Sequence, residues 1–271
     1  MPEHTVDLAA SIRLRAMEMT HRGGASHIGS GLSIADIMAV LYGRVLRVDP
    51  SDPTRYDRDR LVVSKGHAAA VVYATLAVRN FFPESWLADY HQDGQLLGGH
   101  VTAHGIPGVE VSTGSLGHGL PVGLGMALAS QRFGPPYRVF VVLSDGECDE
   151  GSVWEAALLA SHHGVDNLIA IIDYNKLQSL DTVERTVRLE PLGDKWRAFG
   201  WEVREIDGHD HDELLKAFSA VPRLSGRPTC FVAHTVKGKG VPEMENRVEW
   251  HYRSPSADQI DWAKKNWGPR G

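Results

Sequence analysis

The decisive part of the sequence reads RVFVVLSDGE at residues 138–147 and NLIAIIDYNKL at residues 167–177. Each segment contains a nearly continuous apolar run, which is typical of strands buried on both faces of a parallel sheet. The expected elements are a strand over residues 138–143, a turn over 144–150, a helix over 152–163 and a strand over 167–173. This order predicts a βαβ unit with a right-handed crossover.

The alternation of strand and helix extends to both sides of this unit. A short apolar run at residues 61–64 precedes an alanine-rich helix over residues 68–78. Towards the C-terminus the expected pieces are residues 196–199, 202–206, 212–220 and 228–233. We therefore expect an α/β fold with a doubly wound, mainly parallel sheet and helices on both faces. It would form one domain over residues 1–271, with an extended tail from about residue 238.

Ahead of the first strand we expect two helices joined by a glycine-rich loop. Apolar residues approximate an amphipathic stripe over residues 5–20. Residues 24–31 carry too many glycines for a helix, so this segment should present His27 on a loop. Ser33 with Asp36 then offers an N-cap for a helix that ends near residue 42.

The composition excludes several classes of protein. With 271 residues, 42% hydrophobic and 23% charged, the chain is typical of a globular protein. Acidic residues outnumber basic ones by 34 to 28, and the net charge of −6 argues against a nucleic-acid partner. The apolar runs are far shorter than the roughly 20 residues of a membrane span. Two cysteines make no disulfide framework, and no secretory signal is visible, so we expect a cytoplasmic protein.

Two oxygen-bearing side chains follow the central strands. Asp145 comes after the first strand, and Asn175 comes after the second, one strand–helix–strand repeat later. Ligands of open α/β sheets bind beyond the carboxyl ends of the strands, and these oxygens suit Mg²⁺ carrying a diphosphate. The Gly146 amide and the N-terminus of the helix near Ser152 would add donors for phosphate oxygens. On these residues alone, a pair of ordinary strand-end turns stays open as an alternative.

Further motifs give the sequence a family resemblance. Residues 143–147 together with residues 173–177 resemble the diphosphate-binding motif of thiamine diphosphate enzymes. Other segments resemble transketolase segments in the same order: SHIG at 26–29, SKGHA at 64–68, GH at 99–100, GVEVSTGSLG at 108–117, DGHD at 207–210 and KGKG at 237–240. The chain is thus similar to the transketolase family over roughly residues 10–250.

The resemblance implies a cofactor and its ligands. The cofactor would be thiamine diphosphate, bound with Mg²⁺ or, in its place, Ca²⁺ or Mn²⁺. The cation would be held by the side chains of Asp145 and Asn175 and by the backbone carbonyl of Leu177. The cofactor-binding positions would be Gly114, Ser115, Leu116, Asp145, Gly146, Glu147, Glu150 and Asn175.

Four histidines are the catalytic candidates that the resemblance implies. His67 and His251 would lie near the cofactor's phosphates and the reacting carbon, and His27 and His100 would hydrogen-bond substrate hydroxyls. Because imidazole can donate or accept a proton near neutral pH, it suits a reaction in which a ketose hydroxyl loses a proton and an aldehyde gains one. Each histidine also has a packing or surface role as its alternative.

Four positions depart from the family pattern. Ser144 stands where the motif usually begins with glycine, and a serine fits only if its Cβ faces away from the diphosphate. Otherwise, cofactor binding would be weakened. Ser26, Ile28 and His118 replace a glycine, a proline and a glutamine, which leaves the donor and acceptor sugars open.

The resemblance also implies a second subunit. Transketolases contain a pyrimidine-binding domain and a C-terminal domain, which have no counterpart here. We therefore expect the N-terminal subunit of a split transketolase, active only with a partner that carries the pyrimidine-binding domain, in an α2β2 assembly. Glu150 matches an interface glutamate that faces its counterpart, although an acid at a helix N-terminus explains it equally well.

The expected reaction moves a two-carbon ketol unit from a ketose or ketose phosphate to an aldose. One alternative keeps the cofactor but uses another donor, such as a 2-oxo acid, in a C–C ligase of specialised metabolism. The other alternative is a non-catalytic scaffold that binds the partner without the cofactor.

Overall fold

The computed structural model describes residues 4–222 and 225–268. Within these residues the strands form one five-stranded parallel sheet in the order β1-β2-β3-β5-β4. They are β1 (Arg60–Val63), β2 (Val139–Ser144), β3 (Leu168–Tyr174), β4 (Glu202–Asp207) and β5 (Thr229–His234). The expected α/β fold with a mainly parallel sheet is confirmed.

Helices flank this sheet. They are α1 (Thr5–Arg22), α2 (Ile28–Leu32), α3 (Ala35–Val40), α4 (Ala69–Val78), α5 (Gly119–Phe133), α6 (Gly151–His162), α7 (Val183–Thr186), α8 (Leu192–Ala198), α9 (His211–Ser219) and α10 (Ala257–Trp267). No helix in the described ranges is long and apolar enough to cross a membrane.

Side chains of the central strands alternate between two hydrophobic cores, because successive residues of a strand point to opposite faces. Phe140 and Val142 face a core shared with α1, α3, α4, α9 and α10. Val141 and Leu143 face the second core, which is shared with α5, α6 and α8. Helices therefore cover both faces of the sheet, as expected.

The central strands also end at the same level. Every residue of β2 and β3 is buried, and Ser144 pairs with Asp173 in parallel register. The residues that follow, Asp145 and Asn175, therefore emerge at one edge of the sheet.

The expectation of an extended tail is wrong for residues 257–267, which form α10. The helix begins with a capping box, in which the Ser256 hydroxyl accepts from the Gln259 amide and the Gln259 side chain accepts from the Ser256 amide. Ile260 and Ala263 are buried where α10 packs on α1. The neighbouring glycines and prolines obscure the helical spacing of these residues in the sequence.

The glycine-rich segment near His27 is also more regular than expected, because residues 28–32 form the short helix α2. A Cβ at Gly29 would lie 3.1 Å from both the Cβ and the carbonyl oxygen of Trp250, so this glycine permits close packing. The expected N-cap is wrong too. α3 starts after Ile34 without a side-chain cap, and Ser33 instead contacts the Asp173 carboxylate.

A buried carboxylate joins the start of β2 to the chain before β1. Asp59 is fully buried, and its carboxylate accepts hydrogen bonds from the backbone amides and guanidinium groups of Arg47 and Arg138. The closest ion pair, from Arg138 Nη2 to Asp59 Oδ2, spans 2.6 Å. Removing this carboxylate would leave two backbone amides without their acceptor and the Arg138 guanidinium, which is 16% exposed, without its closest partner. The Arg47 guanidinium, which is 53% exposed, would lose less.

We therefore predict that Asp59→Ala lowers the free energy of unfolding by about 3–5 kcal/mol, as measured by urea denaturation. The matched control is Asp57→Ala, because Asp57 pairs with Arg55 but its side chain is 43% exposed. The control should leave the unfolding midpoint nearly unchanged. Equal effects of the two substitutions would contradict a structural role for the buried network.

Candidate active site

A cavity of about 280 Å³ lies at the edge of the sheet where the strands end. This is the edge at which open α/β sheets bind ligands. The cavity is lined by His27, Ser30, His67, His100, Gly114, Leu116, Ser144, Asp145, Gly146, Asn175, Leu177, Gln178, Ser179, Lys237 and His251. The structure thus brings together all four candidate histidines and the three expected cation ligands.

His27 is held by its backbone in an uncommon conformation. Its φ of 72° lies in the left-handed region, and its amide donates to the His251 carbonyl at 2.9 Å. The Ser26 hydroxyl lies 3.0 Å from His27 Nδ1. The serine that replaces the family's glycine therefore contacts the imidazole directly.

His67 and His251 approach the cavity from two other segments. His67 lies in the 3₁₀ turn Gly66–Ala68 after β1, and its Nε2 is 2.8 Å from the Ser30 hydroxyl. His251 ends the 3₁₀ turn Val248–His251, and its Nδ1 is 3.2 Å from Lys237 Nζ. Because a protonated lysine can only donate, His251 Nδ1 accepts this bond, and the neutral ring carries its proton on Nε2.

The four imidazoles form one cluster around His27. Its ring centroid lies 5.4 Å from that of His67, 5.5 Å from that of His100 and 4.9 Å from that of His251. Burial, with His100 and Lys237 nearby, lowers the pKa of His27 to about 4. Burial, with Lys237 nearby, lowers the pKa of His251 to about 3, and burial next to Lys65 lowers the pKa of His67 well below its usual range. These three rings are neutral at pH 7.

Asp145 is a buried carboxylate with few compensating contacts. It is 1% exposed, and its oxygens accept from the amides of Gly146 at 2.8 Å and Lys176 at 2.6 Å. Burial and the neighbouring Asp173 carboxylate raise the pKa of Asp145 to about 7. A bound cation would relieve the cost of this buried negative charge.

Asn175 is oriented by the chain around it. Its Nδ2 donates to Asp173 Oδ2 at 2.9 Å, and its Oδ1 accepts from the Leu177 amide at 3.1 Å. These bonds fix which end of the amide carries the oxygen. The Leu177 carbonyl already accepts from a cation, Lys237 Nζ, at 3.2 Å.

The donor set fits a hard divalent cation. It offers a carboxylate, an amide oxygen and a backbone carbonyl, which are the ligand types that Mg²⁺ and Ca²⁺ prefer. No group of three or more histidine, cysteine, aspartate or glutamate side chains within residues 4–222 and 225–268 could hold a metal ion.

Ser144 takes part in a reciprocal hydrogen-bond pair with Glu147. The Ser144 hydroxyl accepts from the Glu147 amide at 3.2 Å, while the Ser144 amide donates to Glu147 Oε2 at 3.2 Å. A glycine at this position would provide only the second bond. The serine thus stabilises the turn after β2, although it also lines the cavity.

Three expected cofactor-binding residues lie outside the cavity lining. Glu147 is fully buried below it, and its carboxylate accepts from the Ser64 hydroxyl and the Gly117 amide. Ser115 and Glu150 are exposed. The N-terminus of α6, expected to donate to phosphate, begins at Gly151 and adds no residue to the lining.

Lys237 lies at the site, although the sequence predicts no role for it beyond its place in the KGKG segment. It is 1% exposed, and its Nζ donates to the carbonyls of Leu177 and Gln178 and to His251 Nδ1. Burial, with Lys65 nearby, lowers its pKa to about 8. One signal could have identified it, because Lys237 follows β5 at the edge that also carries Asp145 and Asn175.

Comparison with known protein families gives one clear match. The family described as transketolase, thiamine diphosphate binding domain, matches residues 5–270. Among curated proteins, the chain is 40% identical over 251 residues to one subunit of the apulose-4-phosphate transketolase of Phocaeicola vulgatus, covering 93% of this chain and 89% of that protein. It is 41% identical over 254 residues to the SqwG subunit of the 6-deoxy-6-sulfo-D-fructose transketolase of Clostridium sp., covering 93% and 92%.

Longer transketolases are also similar. Human transketolase is 38% identical over 246 residues, which cover 90% of this chain but 39% of that protein. The crystal structure of Campylobacter jejuni transketolase superposes with a TM-score of 0.91 at 30% identity, covering 99% of this chain and 43% of that one. The chain therefore spans about two-fifths of the length of these larger relatives.

The buried carboxylate generates a prediction for Asp145→Asn. The pKa of Asp145 is about 7 in the folded chain, whereas its ordinary value is 3.8. The folded chain therefore binds the proton more tightly, and the free energy of unfolding falls as the pH rises from about 4 to about 7. Asparagine avoids this loss. In EDTA, the advantage of the variant in free energy of unfolding should therefore be roughly 1–3 kcal/mol larger at pH 8 than at pH 5.

Urea denaturation at the two pH values measures this difference, with the exposed Glu150→Gln as the control. An Asp145→Asn advantage that does not change with pH would mean that the protein already compensates the carboxylate. In that case the argument that Asp145 would bind a cation fails.

Proposed function

The chain belongs to the transketolase family, and we propose that it is the thiamine diphosphate-binding subunit of a two-component transketolase. In this proposal, it transfers a two-carbon ketol unit from a ketose phosphate to an aldose, together with a partner subunit. One observation carries the proposal. Four imidazoles converge on a cavity that also contains a carboxylate, an amide oxygen and a backbone carbonyl suited to Mg²⁺.

Separate groups of residues would hold the cofactor and its ion. Asp145, Asn175 and the Leu177 carbonyl would bind the cation, and Gly146 would contact the diphosphate. Gly114 and Leu116, which also line the cavity, would contact the rest of the cofactor. When bound, thiamine diphosphate supplies the electron sink for breaking and making the carbon–carbon bond.

The histidines would handle the protons and hydroxyls of the sugar. A neutral imidazole has one donor and one acceptor nitrogen, so it can take a proton from a hydroxyl and return it to a carbonyl oxygen. The low pKa values of His27, His67 and His251 keep these rings neutral at pH 7. His27 and His100 would bind substrate hydroxyls, while His67 and His251 would lie nearer to the cofactor.

The names of relatives of similar length, which are transketolase subunits, support a partner. Exposed apolar residues are consistent with it. Leu180 follows the cavity residues Gln178 and Ser179 and is 81% exposed, and away from the cavity lining Leu158 on α6 is 61% exposed. A partner carrying the pyrimidine-binding domain would cover such residues. An α2β2 assembly with Glu150 at its interface is part of this proposal.

The donor sugar is proposed by class. The names of the two relatives specify apulose 4-phosphate and 6-deoxy-6-sulfofructose, both sugars with an anionic end. We therefore propose a ketose that carries a phosphate or sulfonate group. The residues that bind this anionic end would come mainly from the partner.

We predict that activity depends on the partner. The purified chain alone should give no ketol transfer, and the mixture with the partner should transfer a two-carbon unit from at least one ketose that carries a phosphate or sulfonate group. The assay would test xylulose 5-phosphate, fructose 6-phosphate, apulose 4-phosphate and 6-deoxy-6-sulfofructose, with pyruvate as the comparison donor, and would measure products by mass spectrometry. Full turnover by the chain alone, or pyruvate as the sole donor, would contradict the proposal.

A further prediction concerns His100. In the reconstituted complex, His100→Ala should raise KM for the ketose or lower kcat, with a loss of at least about 10-fold in kcat/KM, because it removes a group that binds a substrate hydroxyl. The affinity for thiamine diphosphate and Mg²⁺, measured by calorimetry, should be nearly unchanged. His104→Ala is the matched control, since His104 is exposed on the same loop and lies outside the cavity lining. A change in cofactor affinity alone would show that the substrate role is wrong.

A further inference from the structure

Tyr73 lies in the middle of α4 and contacts the segment that carries His100. Nearly all of α4 is buried, and Tyr73 is 0% exposed. A buried phenol needs hydrogen-bond partners for its hydroxyl group. Tyr73 has both partners on one irregular segment: its Oη donates to the His100 carbonyl at 2.9 Å and accepts from the Thr102 amide at 2.8 Å.

The segment of residues 100–102 connects several loops of the cavity. The Val101 amide donates to the Gly66 carbonyl at 3.0 Å, and the Val101 carbonyl accepts from the Thr113 amide at 3.0 Å. Gly66 precedes His67, and Thr113 precedes Gly114. Tyr73 anchors this segment to a buried helix, whereas the other two bonds connect it to further loops.

The imidazole of His100 depends on this anchoring. Its ring makes no hydrogen bond to any residue that the structure describes, and the residue as a whole is exposed. Its neighbours are the ring of His27, with centroids 5.5 Å apart, and Gly114, where a Cβ would lie 3.2 Å from His100 Cδ2. The position of the ring is therefore determined by the backbone of His100.

We propose that Tyr73 is a positioning residue that sets the place of His100 in the substrate site. Through His100 it determines the affinity of the assembled enzyme for its ketose. This second statement rests on the proposed function of His100 as a substrate-binding residue. Tyr73 lies outside the cavity lining, and its hydroxyl is engaged by two backbone groups, so it acts through the backbone of residues 100–102.

The substitution Tyr73→Phe isolates the hydroxyl, because it keeps the ring and removes both hydrogen bonds. Tyr90→Phe is the matched control. Tyr90 is buried, its ring centroid lies 6.2 Å from that of Tyr73, and its hydroxyl makes no hydrogen bond to the described residues of the His100 loop. Both variants remove one oxygen from neighbouring buried phenols.

Hydrogen exchange of the full chain tests the anchoring without cofactor, substrate or partner. In Tyr73→Phe, the amides of residues 100–104 should exchange about 3- to 10-fold faster than in the unmodified chain, as expected when one or two net hydrogen bonds are lost. In Tyr90→Phe, their exchange should be unchanged. Unchanged exchange in Tyr73→Phe, or equal acceleration in both variants, would overturn the positioning role.

Steady-state kinetics of the reconstituted complex test the consequence for the substrate. With xylulose 5-phosphate, or whichever ketose phosphate the complex uses, Tyr73→Phe should raise KM by about 3- to 10-fold with kcat changed less than about 2-fold. The rise should disappear when His100 is already alanine, because Tyr73 acts through that side chain. Cofactor affinity should be unchanged.

The outcomes separate the two proposals. If Tyr73→Phe raises KM equally with and without the His100 side chain, Tyr73 does not act through His100 and the inference is wrong. If His100→Ala leaves KM, kcat and cofactor affinity unchanged, the substrate role of His100 fails, while hydrogen exchange still decides whether Tyr73 positions its loop.

Discussion

A single buried carboxylate, Asp173, holds the parts of the site together. It is the last-but-one residue of β3, and it accepts hydrogen bonds from Lys65 after β1, Ser33 before α3, Asn175 and Thr235 after β5. Both members of the Lys65–Asp173 ion pair are fully buried. Removing either side chain would leave the other charge buried and unpaired, which strongly lowers the free energy of unfolding. The ends of three strands and the start of a helix are therefore fixed relative to each other before any ligand binds.

This arrangement decides the electrostatics of the cavity. Lys65 pairs with the Asp173 carboxylate, and Lys237 lies within the electrostatic influence of Asp145 and Asp173. All four side chains are nearly or fully buried. The lysines lower the pKa values of the adjacent histidines, but burial contributes most. The result is a cluster in which the imidazoles of His27, His67 and His251 are neutral, beside one carboxylate whose charge is poorly compensated. That combination suits a ligand with a cation and an anionic tail at one end, and a neutral polyhydroxylated substrate end at the other.

Much of the fold could be predicted because its signals are local. The buried strands, their helices and the polar residues at the strand ends appear in the sequence as apolar runs with fixed spacing. The candidate histidines came from a resemblance, and the structure places all four on one cavity. The position of Lys237 after β5 is a usable signal, but its hydrogen bonds could not be predicted. The same holds for the Ser144–Glu147 pair and the Tyr73 contacts, because each depends on groups that only the folded backbone brings together. The helix α10 is a different case. Its helical spacing of apolar residues is present in the sequence, but the neighbouring glycines and prolines favour the interpretation as an extended tail.

His67 and His100 differ in how firmly this chain holds them. His67 follows β1, and its ring is hydrogen-bonded to Ser30, so contacts within this chain fix its position. His100 lines the same cavity but is exposed, its ring makes no hydrogen bond to the described residues, and its carbonyl accepts from Tyr73. In the proposed function, His67 would act on the cofactor and need one fixed geometry, whereas His100 would meet different sugars and need an accessible position. Differences in sugar preference among such subunits should therefore arise at the exposed rim around His100 and on the partner, and not at the buried network beneath Asp145.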